Sequence, residues 1–194
     1  MKYITFYTPC SMKKGFTLLE ITVVVAIIIL LSTIFLTNYR EGEKRFALLR
    51  SAHQLAQAIR TTQESAMSSR EFDGGFPQGG YGIYLEEGSN SFVLFADCDG
   101  DYSYNYNNSG SALSCADAVL ANPYPYEKIE EFFLEEGVYI SSISPSSPQN
   151  IVFFPPDPII IITPSSNSVS ITLTFDGGSA KTVTINSVGL IDIQ

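Results

Sequence analysis

Residues 16–36 constrain this chain more than any other stretch. They are apolar apart from a few hydroxyl side chains, and Glu20 carries the only charge among them. As a helix rising 1.5 Å per residue, the run covers about 30 Å, the depth of one bilayer core. A carboxylate within such a segment costs on the order of 3 kcal/mol unless it finds a partner. An ordinary single-pass anchor satisfies the length and hydropathy but leaves Glu20 unexplained. A cleavable secretory signal fits less well, because the run is too long and no small-x-small site follows it.

The residues around the start of the run carry more information. Lys13-Lys14-Gly15 precede it, and Phe16-Thr17-Leu18-Leu19-Glu20 open it. This order resembles the type IV prepilin class: type IV pilins, type II secretion pseudopilins and their minor subunits. The resemblance implies that residues 1–15 are a leader peptide. A prepilin peptidase would cut between Gly15 and Phe16 on the cytoplasmic side, and the new Phe16 amine would be N-methylated. Glu20 would pair with the Phe16 ammonium of a neighbouring subunit, giving the buried carboxylate its cation on assembly. The implied partners are other pilins or pseudopilins, the peptidase, an inner-membrane assembly platform and membrane lipid. The chain would sit as a single-pass inner-membrane protein with its C-terminal domain periplasmic or extracellular, then pass into a filament. Flanking charge does not fix this orientation by itself. Lys2, Lys13, Lys14 and the amino terminus on one side nearly balance Arg40, Lys44, Arg45 and Arg50 on the other.

The formal net charge of −9 is unevenly spread. Residues 40–70 hold six basic and three acidic side chains, whereas residues 71–194 hold only Lys128 and Lys181 against 16 acids. Such a body repels phosphate backbones and anionic lipid, which argues against nucleic acid as a partner. It suits a cation-rich partner or a divalent metal. Of the three cysteines, Cys10 would leave with the leader. Cys98 and Cys115 remain as an even pair on the side placed outside the cytoplasm, where a disulfide is expected. Two free, partly buried thiols are the alternative.

From Phe16 to Ser69 there is no proline and one glycine, Gly42. The expectation is one long helix: residues 16–36 for the membrane and assembly, residues 37–70 as an amphipathic continuation. Leu48, Ala52, Leu55, Ile59, Thr62 and Ala66 recur at steps of three and four, a stripe that should pack on a sheet. Any unwinding within the helix would rely on Asn38 and Gly42. Residues 71–80 read as a glycine-rich loop leading into a β-rich domain over 71–194. Strands are expected at 81–85, 91–96, 138–143, 151–154, 169–175 and 181–185, with a short end at 190–193. Turns fall at 86–90 and 176–179. Residues 132–134 read equally as strand or helix. Prolines at 145, 148, 155, 156, 158 and 164 are expected to exclude regular central strands there, leaving 159–162 as an edge. The fold class is α+β, a long N-terminal helix on antiparallel sheet, and the resemblance makes it pilin-like.

Beyond the helix, Phe95-x-Asp97-x-Asp99-Gly100-Asp101 precedes a polar insertion over 101–122, a hydrophobic strand and a terminal Thr/Val/Ile-rich hairpin. Together with Arg45-Phe46 and Arg50-Ser51, this resembles the H-type minor pseudopilins, the GspH/FimT-like group. The function implied is a structural subunit of an envelope filament and not an enzyme. The alternatives are a DNA-binding minor pilin of a DNA-uptake pilus, which the two lysines of the body oppose, and a simple membrane-anchored extracytoplasmic binding protein.

Asp97, Asp99 and Asp101 alternate across Cys98 and Gly100, so a turn there can gather three carboxylates on calcium. The resemblance to an EF-hand start is incomplete, since Asn108 stands where that loop needs a glutamate. A solvated turn is the competing reading, and no other cofactor is indicated. His53, the single histidine, sits on the helix with no ligand set at matching spacing, which points to a structural role. Asn107-Asn108-Ser109 matches a glycosylation acceptor. Tyr102, Tyr104 and Tyr106 alternate beside asparagines, as an exposed polar loop or a stacking surface.

Overall fold

The computed structural model describes residues 15–105, 114–115, 127–155, 159–175 and 178–194. The leader residues 1–14, the triplet 107–109, Tyr106, and Asp176 and Gly177 of the second turn lie outside them. The chain divides into one unit ending at Gly42 and a second, Glu43–Gln194.

A single helix, α1 (Leu18–Met67), runs through the apolar segment and its amphipathic continuation. Thr17 caps it: its Oγ1 accepts the Glu20 backbone N–H at 3.3 Å. Glu20 thus stands third in the helix, where an acid also complements the positive end of the helix dipole. In the first unit every described side chain over 16–36 is exposed, so the apolar surface has no protein to bury it. The hydroxyls of Thr22 and Thr33 bond back to carbonyls of the preceding turn, which satisfies those two donors within the helix. This is one helix long and apolar enough to cross a membrane.

Within the second unit α1 changes character. Leu48, Ala52, Leu55, Ile59, Thr62 and Ala66 are all buried, as their spacing predicts. Thr62 satisfies its hydroxyl on the Ala58 carbonyl. The helix ends with Ser69 at φ 45° and the Arg70 N–H on the Ser65 carbonyl, a left-handed stop built without glycine.

The strands are β1 (Gly80–Leu85), β2 (Ser91–Asp97), β3 (Lys128–Phe133), β4 (Val138–Ser144), β5 (Gln149–Phe154), β6 (Ile159–Thr163), β7 (Ser168–Phe175), β8 (Ala180–Asn186) and β9 (Ile191–Ile193). They form a five-stranded sheet in the order β3-β2-β1-β5-β6 and a four-stranded sheet in the order β4-β7-β8-β9. Every pairing is antiparallel. The turn between β1 and β2 bridges to the other sheet, exchanging two backbone bonds with Ile140. One core cluster joins the buried face of α1 to inward residues such as Ile83, Leu85, Ile151, Ile171 and Val183.

The two sheets differ in how they use their faces. In β7 and β8 buried residues alternate with more exposed ones, the pattern of a one-sided sheet. In β2 and β5 nearly every residue is buried. The second face of the larger sheet is covered by the segment that follows β2. Tyr104 packs on Tyr84 and Phe95 with ring centroids 5.3 and 5.5 Å away, and Tyr102 meets Phe154 edge-on. Gly82 makes room, since a Cβ there would run into the Phe95 ring.

Two expectations are corrected, for 145–164 and for the tyrosines, and the open choice at 132–134 is resolved. The 145–164 region does hold a central strand: β5 lies between β1 and β6, because Pro148 and Pro155 stand just outside it and remove no ladder donor. Residues 132–133 belong to a strand, since β3 pairs with β2 and stacks Phe132 on Phe92. Tyr102 and Tyr104 are half-buried packing residues, not an exposed loop.

Leu55 and Leu49 offer a direct comparison on one helix. Leu55 is fully buried and Leu49 is exposed. Leu55→Ala is expected to cost about 2–5 kcal/mol, and Leu49→Ala within about 0.5 kcal/mol. Denaturant unfolding of the full chain in micelles, followed by circular dichroism, measures both.

Candidate functional site

The end of β2 delivers Asp97 into the protein, fully buried. The chain then turns through Gly100, at φ 79°, and runs back toward Asn105. Both oxygens of Asp97 accept backbone donors from that turn, Gly100 N–H at 2.8 Å and Tyr102 N–H at 2.9 Å. Glu127, just before β3, is also fully buried. It accepts the Cys98 N–H at 3.2 Å and the Asn105 N–H at 2.8 Å. Asp99 bonds Asn105 Nδ2 at 3.3 Å. Cys98 and Cys115 are disulfide-bonded, with Cα atoms 5.1 Å apart. Gly79 closes the site from the other side: its backbone lies against the Asp97 carboxylate, where any Cβ would overlap the oxygens.

Oxygens of Asp97, Asp99 and Glu127 lie within 4.8 Å of one another. Asp101 does not complete this set. Its carboxylate turns to the Ser103 N–H and Asn105 Nδ2. The third acid is therefore Glu127, distant in sequence and brought in by the β2–β3 pairing. No local pattern around Glu127 marks it.

Burial dominates the electrostatics. It pushes Asp97 up to about 7, with the Asp99 and Asp101 charges adding to it and the two N–H bonds opposing. Burial likewise pushes Glu127 up to about 8, with Asp99 and Asp97 adding to it. Asp99 is raised for the same reason, with the Asp101 charge adding to it. Carboxylates this close and this dry cannot all be ionised together without a counter-charge. The group can hold protons or exchange them for a hard cation.

As a calcium site the set is incomplete on its own residues. Calcium takes about six to eight oxygens, and three carboxylates converge here. Every buried side-chain polar atom among the described residues already has a hydrogen-bond partner. The acids act as pins: five backbone N–H groups, counting that of Asp101 on Asp99, hold the segment that carries Tyr102 and Tyr104 against the sheet.

The other singled-out residues lie apart from this cluster. Gly15 and Phe16 precede α1 and are exposed. Phe16 and Glu20 edge a shallow apolar groove with Ile21, Val24 and Val25. His53 is exposed on α1. Comparison with protein-family models, curated proteins and solved structures finds no match for this chain.

Asp97 and Glu127 have folded-state values above their ordinary ones of 3.8 and 4.5. The folded state therefore holds protons that the unfolded chain releases. Their stabilising contribution is full below about pH 4 and is lost as pH rises through the values near 7 and 8. The melting temperature of the full chain, without added metal, should fall between about pH 5 and pH 9. Asp97→Asn combined with Glu127→Gln should flatten that slope. A melting temperature that rises over the same range in the wild type would refute this account of the cluster.

Proposed function

We propose that this chain is a structural subunit of an envelope filament, of the type IV prepilin class. The observation that carries the reading is the Lys13–Glu20 motif at the head of a helix whose first part is apolar and exposed on all sides. Such a surface needs lipid or neighbouring helices around it. The second part of the same helix is amphipathic and buried, so one element serves both assembly and folding. In this reading cleavage follows Gly15, and residues 16–36 hold the subunit in the inner membrane. The subunit then polymerises through that helix with other pilins or pseudopilins. Glu20 supplies registry by meeting the Phe16 ammonium of a neighbour.

The H-type minor pseudopilins are the favoured subgroup, on the Phe95–Asp101 stretch and the terminal hairpin. A DNA-uptake role is disfavoured because residues 71–194 carry 16 acids against two lysines. The reading assigns the chain no catalytic step.

N-terminal sequencing of the protein recovered from filaments should begin at Phe16, and an intact Met1 in assembled filaments would end this proposal. A bulky residue in place of Gly15 should block processing.

Glu20→Ala should leave cleavage and membrane insertion intact and lower incorporation. The measurement is the ratio of mutant subunit in sheared filaments to that in membranes. A ratio equal to wild type, for a subunit found along the whole shaft by immunogold, would discard the pairing role of Glu20.

A further inference from the structure

In the second unit, α1 crosses the β3 side of the five-stranded sheet and leaves a cleft of about 500 Å³. That size lies within the range of small-molecule sites. Its floor is apolar, built from Ala58, Leu94, Ile129 and the half-buried ring of Phe132. Gln57 and Thr61, one helical turn apart, form one wall. The residues just after the helix, Arg70 to Asp73, form the other, with the half-buried ring of Phe72 among them. Tyr81 closes the end and donates its hydroxyl to the Arg70 carbonyl, which anchors that wall.

The rim is polar and unspent. The side chains of Gln57, Thr61, Arg70, Asp73 and Glu130 make no hydrogen bond or ion pair among the described residues. They offer amide, hydroxyl, guanidinium and carboxylate groups, a mixture of donors and acceptors on opposing walls. The aromatic rings offer electron-rich faces to polarised C–H groups. One cation, Arg70, stands against three acids, Glu71, Asp73 and Glu130, so an anionic ligand is repelled. A purely apolar ligand would strand the rim groups. The chemistry that meets all of these demands is a ring with a hydroxyl-rich edge, an apolar C–H face and no charge.

We propose that the cleft between α1 and β3 binds a neutral carbohydrate, through Gln57 and Asp73 at its rim and Phe132 at its floor. Gln57 would pair its amide with neighbouring hydroxyls, and Asp73 would accept from two hydroxyls at once. The sugar face would lie on the Phe132 ring. This proposal does not depend on processing after Gly15, and either can fail without the other.

The test uses the full chain in lipid nanodiscs, which avoids sugar-based detergents. Titration calorimetry is run with a tetramer of N-acetylglucosamine, with maltotetraose, and with an acidic tetrasaccharide of the heparin type. At least one neutral tetramer should bind and the acidic one should not. Binding of the first probe would indicate wall-type glycan, and of the second a glucose-type surface polysaccharide. Gln57→Ala and Asp73→Asn, both at exposed or rim positions, should each weaken binding by about three- to tenfold with an unchanged melting temperature. Absence of heat from both neutral probes at millimolar concentration would overturn the proposal. So would variants that bind as wild type does, or an acidic probe that binds as tightly as the neutral ones.

Discussion

Burial of one face of α1, from Leu48 to Ala66, is the contact on which the second unit depends. That face supplies residues to the same core cluster as both sheets, so removing it would expose the inward side chains of each. The sheets touch one another through few backbone bonds, chiefly those from the β1–β2 turn to Ile140. Hydrophobic burial against a shared helix is non-directional and scales with area, which lets a five-stranded and a four-stranded sheet meet on one support. Side-chain bonds then fix the register. The Glu135 N–H bonds Ser51 Oγ at 3.1 Å, and Arg50 pairs with Glu135 at 3.2 Å. The exposed Arg50 pair adds little energy and mainly selects geometry.

The larger sheet poses a second problem, because its outer face is as apolar as its inner one. A covering segment must reach that face, and the backbone donors it turns inward need partners inside the protein. Asp97 and Glu127 resolve this by accepting the backbone donors of the covering segment from inside the protein. Buried carboxylates are costly, and they are tolerated here because each oxygen is bonded and because the group takes up protons. The disulfide at Cys98 holds the same segment at its start. Gly79 and Gly82 are the corresponding absences of side chain, one beneath Asp97 and one beneath Phe95.

Much of this was legible in the residues, and the failures share a cause. The α1 stripe shows because a helix repeats every 3.6 residues and only one face is buried. Strands β7 and β8 show because they alternate. Asp97, Cys98 and Asp99 stand out because they are adjacent in sequence, and Cys115 because it is the one cysteine left to pair with Cys98 once the leader is set aside. Glu127 does not, since only the β2–β3 pairing brings it to Asp97. The packing of Tyr102 and Tyr104 is hidden because it needs a sheet whose strands carry apolar residues on both faces. The central place of β5, expected as a strand over 151–154, is hidden by flanking prolines, which look disruptive until the register shows them lying beyond the ladder. Local pattern reveals elements, whereas contacts between distant segments reveal the site.

Strand β6 ends the larger sheet with four isoleucines and a threonine, and Ile159 is exposed. An open apolar edge of this kind ordinarily invites another strand to add. Here Pro158 precedes it and Pro164 follows it. Neither can donate to a ladder, so an incoming strand would find backbone partners over only the five residues of β6. Edge-to-edge growth is thereby kept short, and the sheet can leave Ile159 exposed at its border without that border becoming a template for aggregation.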